Sequence, residues 1–261
     1  MIDFHNHLIP GVDDGAADAD ETRAALETFR EQGVGRVVCT PHVGGEITRR
    51  PSELAALLER LDRGWDEARA VAADFPDMEL LRGAEVMLDT PEPDLSDPRL
   101  RLAGTRFVLV EYPFMVVPPN GSRALFDLKM AGWMPVLAHP ERYGNAATDL
   151  SDAEEWRRVG TYLQVNCGSL LGRYGPRAQQ LAWGLLERGH VDYLSSDYHA
   201  RGTCPVAECL RALQARGAEE QAVLLTETNP ERLLAGQAPL PVPPLRAARP
   251  LWRRLLGLGR E

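Results

Sequence analysis

At 261 residues, with 44% hydrophobic and 26% charged side chains, the chain has the length of one α/β barrel or doubly wound sheet and an ordinary globular composition. That excludes a disordered polypeptide, a collagen and a small disulfide-stapled scaffold, and no run of about eighteen apolar residues offers a membrane-spanning helix. The net charge of −9 argues against a nucleic-acid-binding body, and the charge is uneven: residues 239–261 carry five arginines and one glutamate, which leaves −13 on the rest.

In chain order, the first β-rich run is Ile2–His7, followed by the loop Pro10-Gly11-Val12-Asp13-Asp14-Gly15. Asp18 with Glu21 predicts a helix start and Gly33 its stop. A strand is expected over Arg36–His42, a long helix from Ser52 towards Ala73, and a strand over Glu79–Val86. Strands over Phe107–Tyr112 and Met134–His139 come next, then a helix opened by a Ser151/Glu154 capping box. Tyr162–Cys167 reads as the sixth strand, Pro176 to Arg188 as a helix closed by Gly189, and Asp192–His199 as the seventh strand. Seven strands alternating with helices predict βα units around a parallel sheet. The Pro-rich stretch Gly236–Pro244 reads as a semi-rigid linker between a domain of residues 1–236 and a short basic amphipathic tail, so that 237–261 is linker plus tail. No basic segment precedes an apolar stretch at the start, and four cysteines (Cys39, Cys167, Cys204, Cys209) make no disulfide framework, so a cytoplasmic protein is expected.

The acids and histidines fall at strand ends. His5 and His7 are two apart, so on a strand both point to one face, and Asp197 and His199 repeat that spacing on the last strand. His42 ends the second strand, Glu85 the third, Glu111 the fourth and His139 the fifth; Asp14 lies in the loop after the first. In βα barrels the carboxyl ends of the strands share one mouth, where active sites form. Imidazole plus carboxylate is the ligand set of zinc, manganese or iron. Nine such residues are too many for one ion with an open position and suit a cluster of two or three, with a carboxylate such as Glu85 bridging. His190, after a helix end, is expected to be structural, and Asp13 either supports a ligand or merely shapes the turn.

The ordered set Asp3-Phe4-His5-Asn6-His7, Thr40-Pro41-His42, Gly83-Ala84-Glu85, His139-Pro140-Glu141-Arg142-Tyr143 and Ser196-Asp197-Tyr198-His199 resembles the polymerase-and-histidinol-phosphatase (PHP) superfamily. The Pro10–Gly15 loop and the His-Pro-Glu-Arg-Tyr box are similar to one branch, the bacterial manganese-dependent protein-tyrosine phosphatases of capsule and exopolysaccharide operons (CpsB/YwqE type). The likeness covers about residues 1–236 and includes Ser169–Gly175. It implies a distorted seven-stranded (β/α)7 TIM-like barrel, the PHP fold, holding three divalent metals, manganese first, with iron and zinc as alternatives. Carried over, His5, His7, Glu85 and Asp197 hold the first metal, Glu85, Glu111 and His139 the second, and Asp14, His42 and His199 the third. The resemblance also implies Arg142 as a phosphate-binding catalytic arginine; the alternative is an ion pair with Glu141. A second family arginine precedes a proline beyond the last histidine; Cys204-Pro205 stands there instead, and Arg201 is the nearby candidate.

The implied substrate is phosphotyrosine on a membrane-bound bacterial tyrosine autokinase that controls polysaccharide export, attacked in line by a metal-bridging hydroxide. Another superfamily phosphomonoesterase, such as a histidinol-phosphate phosphatase, and a catalytically silent metal-bound module are the alternatives. Cys167 and Arg173 also fit Cys-x5-Arg, the signature of thiolate tyrosine phosphatases, though the loop would wrap Leu170-Leu171 around phosphate. Tyr112 and Phe114, beside Glu111, are candidate walls for an aromatic ring, with the core as the equal alternative. The tail, with Leu251-Trp252-Arg253-Arg254-Leu255-Leu256, either packs on the barrel or makes weak contact with an anionic membrane surface.

Overall fold

A computed structural model describes residues 1–245. β1 (Ile2–Asp3) passes through α1 (Ala19–Glu31) to β2 (Arg36–Cys39) and β3 (His42–Gly44); α2 (Gly45–Thr48) and α3 (Pro51–Ala72) then lead to β4 (Glu79–Arg82) and β5 (Glu85–Met87). Next come β6 (Phe107–Glu111), α4 (Gly121–Met130), β7 (Met134–Ala138), α5 (Ser151–Arg158), β8 (Tyr162–Asn166), α6 (Cys167–Leu170), α7 (Pro176–Glu187) and β9 (Tyr193–Ser195). The described chain closes with α8 (Val206–Gln214), α9 (Glu219–Val223) and α10 (Asn229–Leu234), the last two joined through a π-helical turn at Leu224–Thr228. None of the described helices is long and apolar enough to cross a membrane.

All strand pairs are parallel and fall into two hydrogen-bonded sheets, β1-β2-β4 and β3-β5-β6-β7-β8-β9. The two are one surface with a break in it. Cys39 faces Arg82 at the end of one ladder, and His42 faces Glu85 at the start of the next, so the register is unchanged across the gap. Gly83 and Glu85 still donate to the Cys39 and Pro41 carbonyls at 2.9 and 3.0 Å. Pro41 has no amide hydrogen for the return bond, and the ladder is interrupted there. The expected strands Arg36–His42 and Glu79–Val86 are therefore each observed as two short strands.

The first expected strand, Ile2–His7, is also shorter in the ladder. Beyond Asp3 the amides of Phe4 and His5 bind the Ser195 hydroxyl at 2.9 and 3.1 Å instead of a neighbouring backbone. The seam between first and last strands is carried by Asp197 N to His5 O (2.8 Å), His7 N to Tyr198 O (2.9 Å) and an Asn6–Tyr198 bridge. The result is a distorted seven-stranded TIM-like barrel.

β6 and β7 are buried along their whole length, which explains why they read as unbroken apolar runs. Phe4, Val38, Leu109, Val136 and Tyr193 belong to the smaller of the two apolar clusters, where Phe4 meets Tyr193 edge-on at 5.1 Å, a geometry worth ~0.5–1.5 kcal/mol beyond its burial. The helices cover the outside: Thr22, Ala25, Leu26 and Phe29 form the buried face of α1, at helical spacing. Asp18 caps α1 as expected, accepting from the amides of Asp20 and Glu21.

Two sequence expectations are corrected. The Ser151/Glu154 box does not form; Leu150 stands at the cap position of α5 with a left-handed backbone, and Asp149 accepts from the Ser151 amide at 3.0 Å. The Pro-rich stretch, expected as a spacer, lies against the body as far as Leu245. Leu240 N donates to Asn229 Oδ1 (2.8 Å), Leu245 N to Leu186 O (3.1 Å), and Val242 and Leu245 are buried. Pro cannot donate to a ladder but can seat its ring on an apolar surface, so this segment caps a face without joining the sheet. The basic tail at 246–261 lies outside the described residues.

Candidate metal centre

All nine candidate ligands converge on one mouth of the barrel. His5 and His7 stand on the segment that follows β1; Asp197 and His199 follow β9; His139 follows β7; Glu111 is the last residue of β6. His42 and Glu85 open β3 and β5 rather than closing the strands before them, because the break at Pro41 shifts the ladder. Their paired register sets the two side chains next to each other. The loop carrying Asp14 is folded back by a turn that only glycine permits: a Cβ at Gly15 would lie 2.0 Å from the His7 carbonyl oxygen.

Glu85 is the hub. Its Oε2 lies 3.2 Å from His5 Nε2, 3.5 Å from His7 Nε2 and 3.1 Å from His42 Nδ1, while Oε1 lies 3.0 Å from His139 Nε2. Asp197 Oδ1 is 3.4 Å from His5 Nε2 and 3.5 Å from His7 Nε2. Glu111 reaches His42 Nδ1 at 3.2 Å and His139 Nε2 at 3.7 Å. Asp14 Oδ1 sits 3.5 Å from both His42 Nε2 and His199 Nε2. These atoms gather into four overlapping groups of cation-ligand size: His5, His7 and Asp197; His5, Glu85 and His139; His42, Glu85 and Glu111; and His7, Asp14, His42 and His199.

The donor set fits divalent metal ions on an internal observation. His5 Nε2, His7 Nε2 and His42 Nδ1 are buried without a hydrogen-bond partner, and each lies within 3.5 Å of Glu85 Oε2, which is buried and unpartnered as well. Buried polar atoms without partners are costly, and four gathered in one cluster call for cations among them. The electrostatics agree. Burial disfavours the carboxylate at Glu85, but the imidazoles of His5, His139 and His42 outweigh it and hold the group well below its ordinary range. Burial likewise opposes charge on His42, yet Glu111 and Glu85 raise it to about 10. Protons and metal ions thus compete for the same atoms. The backbone is strained at two ligand positions: His139 and Asp197 have φ of 36° and 52°, a region that ordinary residues occupy only when the surroundings enforce it.

Three further residues hold the candidate ligands in place. Asp13 Oδ2 accepts from His7 Nδ1 at 2.7 Å and from the His42 amide at 3.1 Å, while its Oδ1 accepts from the Gly15 amide at 3.0 Å, so it both contacts a candidate ligand and shapes the turn. Gln164 Oε1 meets His5 Nδ1 at 2.7 Å; its amide nitrogen donates to Asn166 Oδ1 (2.9 Å), and Asn166 Nδ2 donates to Asp197 Oδ2 (2.7 Å). Sequence reasoning missed Gln164 and Asn166, although two amides at alternate positions of an otherwise apolar strand were a legible signal. Such contacts fix the tautomer and ring plane of a ligating histidine. Asp13→Asn is expected to weaken metal affinity about 10–100-fold with the fold intact, as measured by metal titration.

Arg142 donates to Asp197 Oδ2 at 2.6 Å, at the edge of the ligand cluster. The alternative partner, Glu141, points away and is buried, accepting from Asn166 N (3.0 Å) and Ser169 Oγ (2.6 Å). Arg201 borders a cleft of about 280 Å³ that reaches Asp197 and His199, and its guanidinium lies 3.4 Å from the Gly15 carbonyl. His190 stands apart, 3.8 Å from Glu154. Tyr112 is core, packed on Tyr143 and Trp156, whereas Phe114 is 92% exposed on the loop after β6.

The thiolate alternative finds no support in the geometry. Cys167 is buried, and contact with Cys209 together with burial holds its thiol well above the ordinary range, opposite to what a nucleophile needs. Arg173 is engaged by the Thr203 carbonyl and by Glu208 at 2.8 Å, not turned toward Cys167. Cys167→Ser is expected to keep at least about half of any phosphatase activity; complete loss with the metal content unchanged would reinstate the cysteine.

Residues 1–235 match the family model for capsular polysaccharide synthesis, CpsB/CapC. The chain is 31% identical over 260 residues to the tyrosine-protein phosphatase YwqE of Bacillus subtilis, covering 98% of each protein, and 26% identical over 247 residues to the tyrosine-protein phosphatase CpsB of Streptococcus pneumoniae, covering 91% of this chain and 99% of that one. A crystal structure from work on those two proteins, described as unique metal-dependent tyrosine phosphatases, superposes with a TM-score of 0.77 at 30% identity, over 95% of this chain and 100% of the other. A phosphotriesterase from Mycobacterium tuberculosis shares the fold alone, with a TM-score of 0.54 at 14% identity over 92% and 94% of the two chains. With a whole-domain family match and a relative similar from end to end, the chain belongs to the CpsB/CapC capsular polysaccharide synthesis family.

Proposed function

We propose that this chain is a metal-dependent protein-tyrosine phosphatase acting on phosphotyrosine of a membrane-bound bacterial tyrosine autokinase that controls capsule or exopolysaccharide synthesis. The observation that carries the reading is the set of buried, unpartnered nitrogen and oxygen atoms around Glu85. Three divalent ions, manganese foremost, are assigned to His5, His7, Glu85 and Asp197; to Glu85, Glu111 and His139; and to Asp14, His42 and His199. When bound, such ions lower the pKa of a water and stabilise charge on the phosphoryl oxygens. Glu85 holds neighbouring positions together through its two oxygens, and Asp13 and Gln164 keep the His7 and His5 rings in register. Arg142, with a planar fork of donors, binds the equatorial phosphate oxygens, and Arg201 is assigned a second phosphate contact from the cleft wall. Tyrosine leaves readily as its phenolate, with a pKa of about 10, so the chain needs no strong general acid. A cytoplasmic location belongs to the same proposal.

The test is phosphate release from a phosphotyrosyl peptide by the purified full chain, before and after a chelator, and again with manganese restored. Loss and recovery are expected. Activity indifferent to verified metal removal would overturn the metal mechanism, and a metal-loaded protein inert on the peptide would overturn the substrate. The tail at 246–261 is assigned weak contact with an anionic membrane surface. Because residues up to Leu245 pack on the body, the proper comparison is the full chain against one ending at Leu245: only the former is expected to sediment with anionic vesicles, and equal behaviour rejects the contact.

A further inference from the structure

Arg142 has two neighbours, and only one is an ion. Besides its bond to Asp197, its guanidinium carbon lies 4.1 Å from the centroid of the Tyr174 ring. Tyr174 comes from the turn between α6 and α7, where Arg173 N donates to the Gly168 carbonyl at 3.0 Å. The ring rests on the backbone of Gly168: a Cβ there would lie 3.0 Å from Tyr174 Cε2. With 41% of its surface exposed, Tyr174 lines the cleft beside Asp197 and His199 and is not a core residue on which folding depends.

The two neighbours differ in one respect. Asp197 belongs to a metal-ligand group, and a carboxylate committed to a cation holds a guanidinium less firmly. The aromatic face has no such second commitment. Stacking of a guanidinium on a ring fixes its plane, and so removes much of the rotamer freedom that a free arginine would lose when it clamps a phosphate. We infer that Tyr174 is a positioning residue that sets the plane of Arg142 for phosphate, with Gly168 leaving room for the ring. This rests on the phosphatase reading above and adds a residue to it.

Tyr174→Phe keeps the ring, and Tyr174→Leu keeps apolar bulk without it. In the manganese-loaded full chain, Tyr174→Leu is expected to lower kcat on a phosphotyrosyl peptide about tenfold and to weaken binding of inorganic phosphate, measured by calorimetry, by a similar factor, with metal content and Tm unchanged. Tyr174→Phe restores both to within about twofold of the parent. Gly168→Ala, which pushes on the ring from below, is expected to move phosphate affinity in the same direction as Tyr174→Leu. In an Arg142→Ala background, Tyr174→Leu should have no further effect, a coupling that general loosening would not produce. Equal phosphate affinity and kcat in Tyr174→Leu and the parent, or an undiminished loss in the Arg142→Ala background, would overturn the role. A parent chain that binds phosphate but turns over no peptide would instead sink the phosphotyrosine substrate, and the calorimetric comparison would still judge the stack.

Discussion

Glu85→Gln is expected to reduce phosphotyrosine hydrolysis by about 10³-fold, several kcal/mol of transition-state stabilisation, and to do so by emptying more than one metal position at once. No other candidate carboxylate reaches as many of the histidines: its two oxygens contact His5, His7, His42 and His139 within 3.5 Å. The amide is nearly isosteric, so packing is preserved, but one oxygen becomes a donor and the bridging charge is lost. Elemental analysis after dialysis should show fewer than half the metal ions of the parent. A second readout is thermal. Metal at a hundredfold excess over Kd stabilises the parent by about 2.7 kcal/mol, about 5 °C or more for a chain of this size, whereas the variant should gain little. Retention of the parent's metal content, or of its metal-induced rise in Tm, would remove Glu85 from the centre of the site.

Arg142→Ala should lower kcat by about 10²–10³-fold while leaving metal content and Tm near those of the parent, because the side chain contacts the cluster from its edge and a guanidinium offers a metal no lone pair. Arg142→Lys should recover only part of the loss, since a point charge replaces a planar fork that can grip two phosphate oxygens. Steady-state kinetics on a phosphotyrosyl peptide, with metal analysis of the same preparations, decides the matter. Near-parental turnover in Arg142→Ala would reassign the phosphate clamp to another residue. Loss of metal in that variant would mean that the arginine holds Asp197 in place instead of binding substrate.

How much of this was legible depends on the residue. The candidate ligands could be read from the chain because strand periodicity is local: residues two apart on one strand share a face, and strand ends in a βα barrel share a mouth. His5, His7, Asp197 and His199 follow from that alone. The break at Pro41 was also written in the sequence, as a residue without an amide hydrogen inside an expected strand, but its consequence required a partner. Only the unchanged register of His42 against Glu85 shows that the two short ladders are one. The Ser151/Glu154 box illustrates the opposite failure: the motif was present, but Asp149 took the amide that a cap would have served.

By itself the sequence determined the alternation of strands and helices, the set of nine candidate ligands and the likeness to a metal-dependent family, since these depend on residue type and short-range spacing. Tertiary structure alone decided what lies between residues distant in the chain. It made Glu85 the hub, turned Arg142 to Asp197 instead of Glu141, and set Gln164 on His5 across 159 positions. It also buried Tyr112 while leaving Phe114 exposed two residues later, and laid the Pro-rich segment against the barrel. The physical reason is common to all of these. A side chain's partner is chosen by competition among every group the fold brings within a few ångströms, and that competition is settled only when the ring of strands closes.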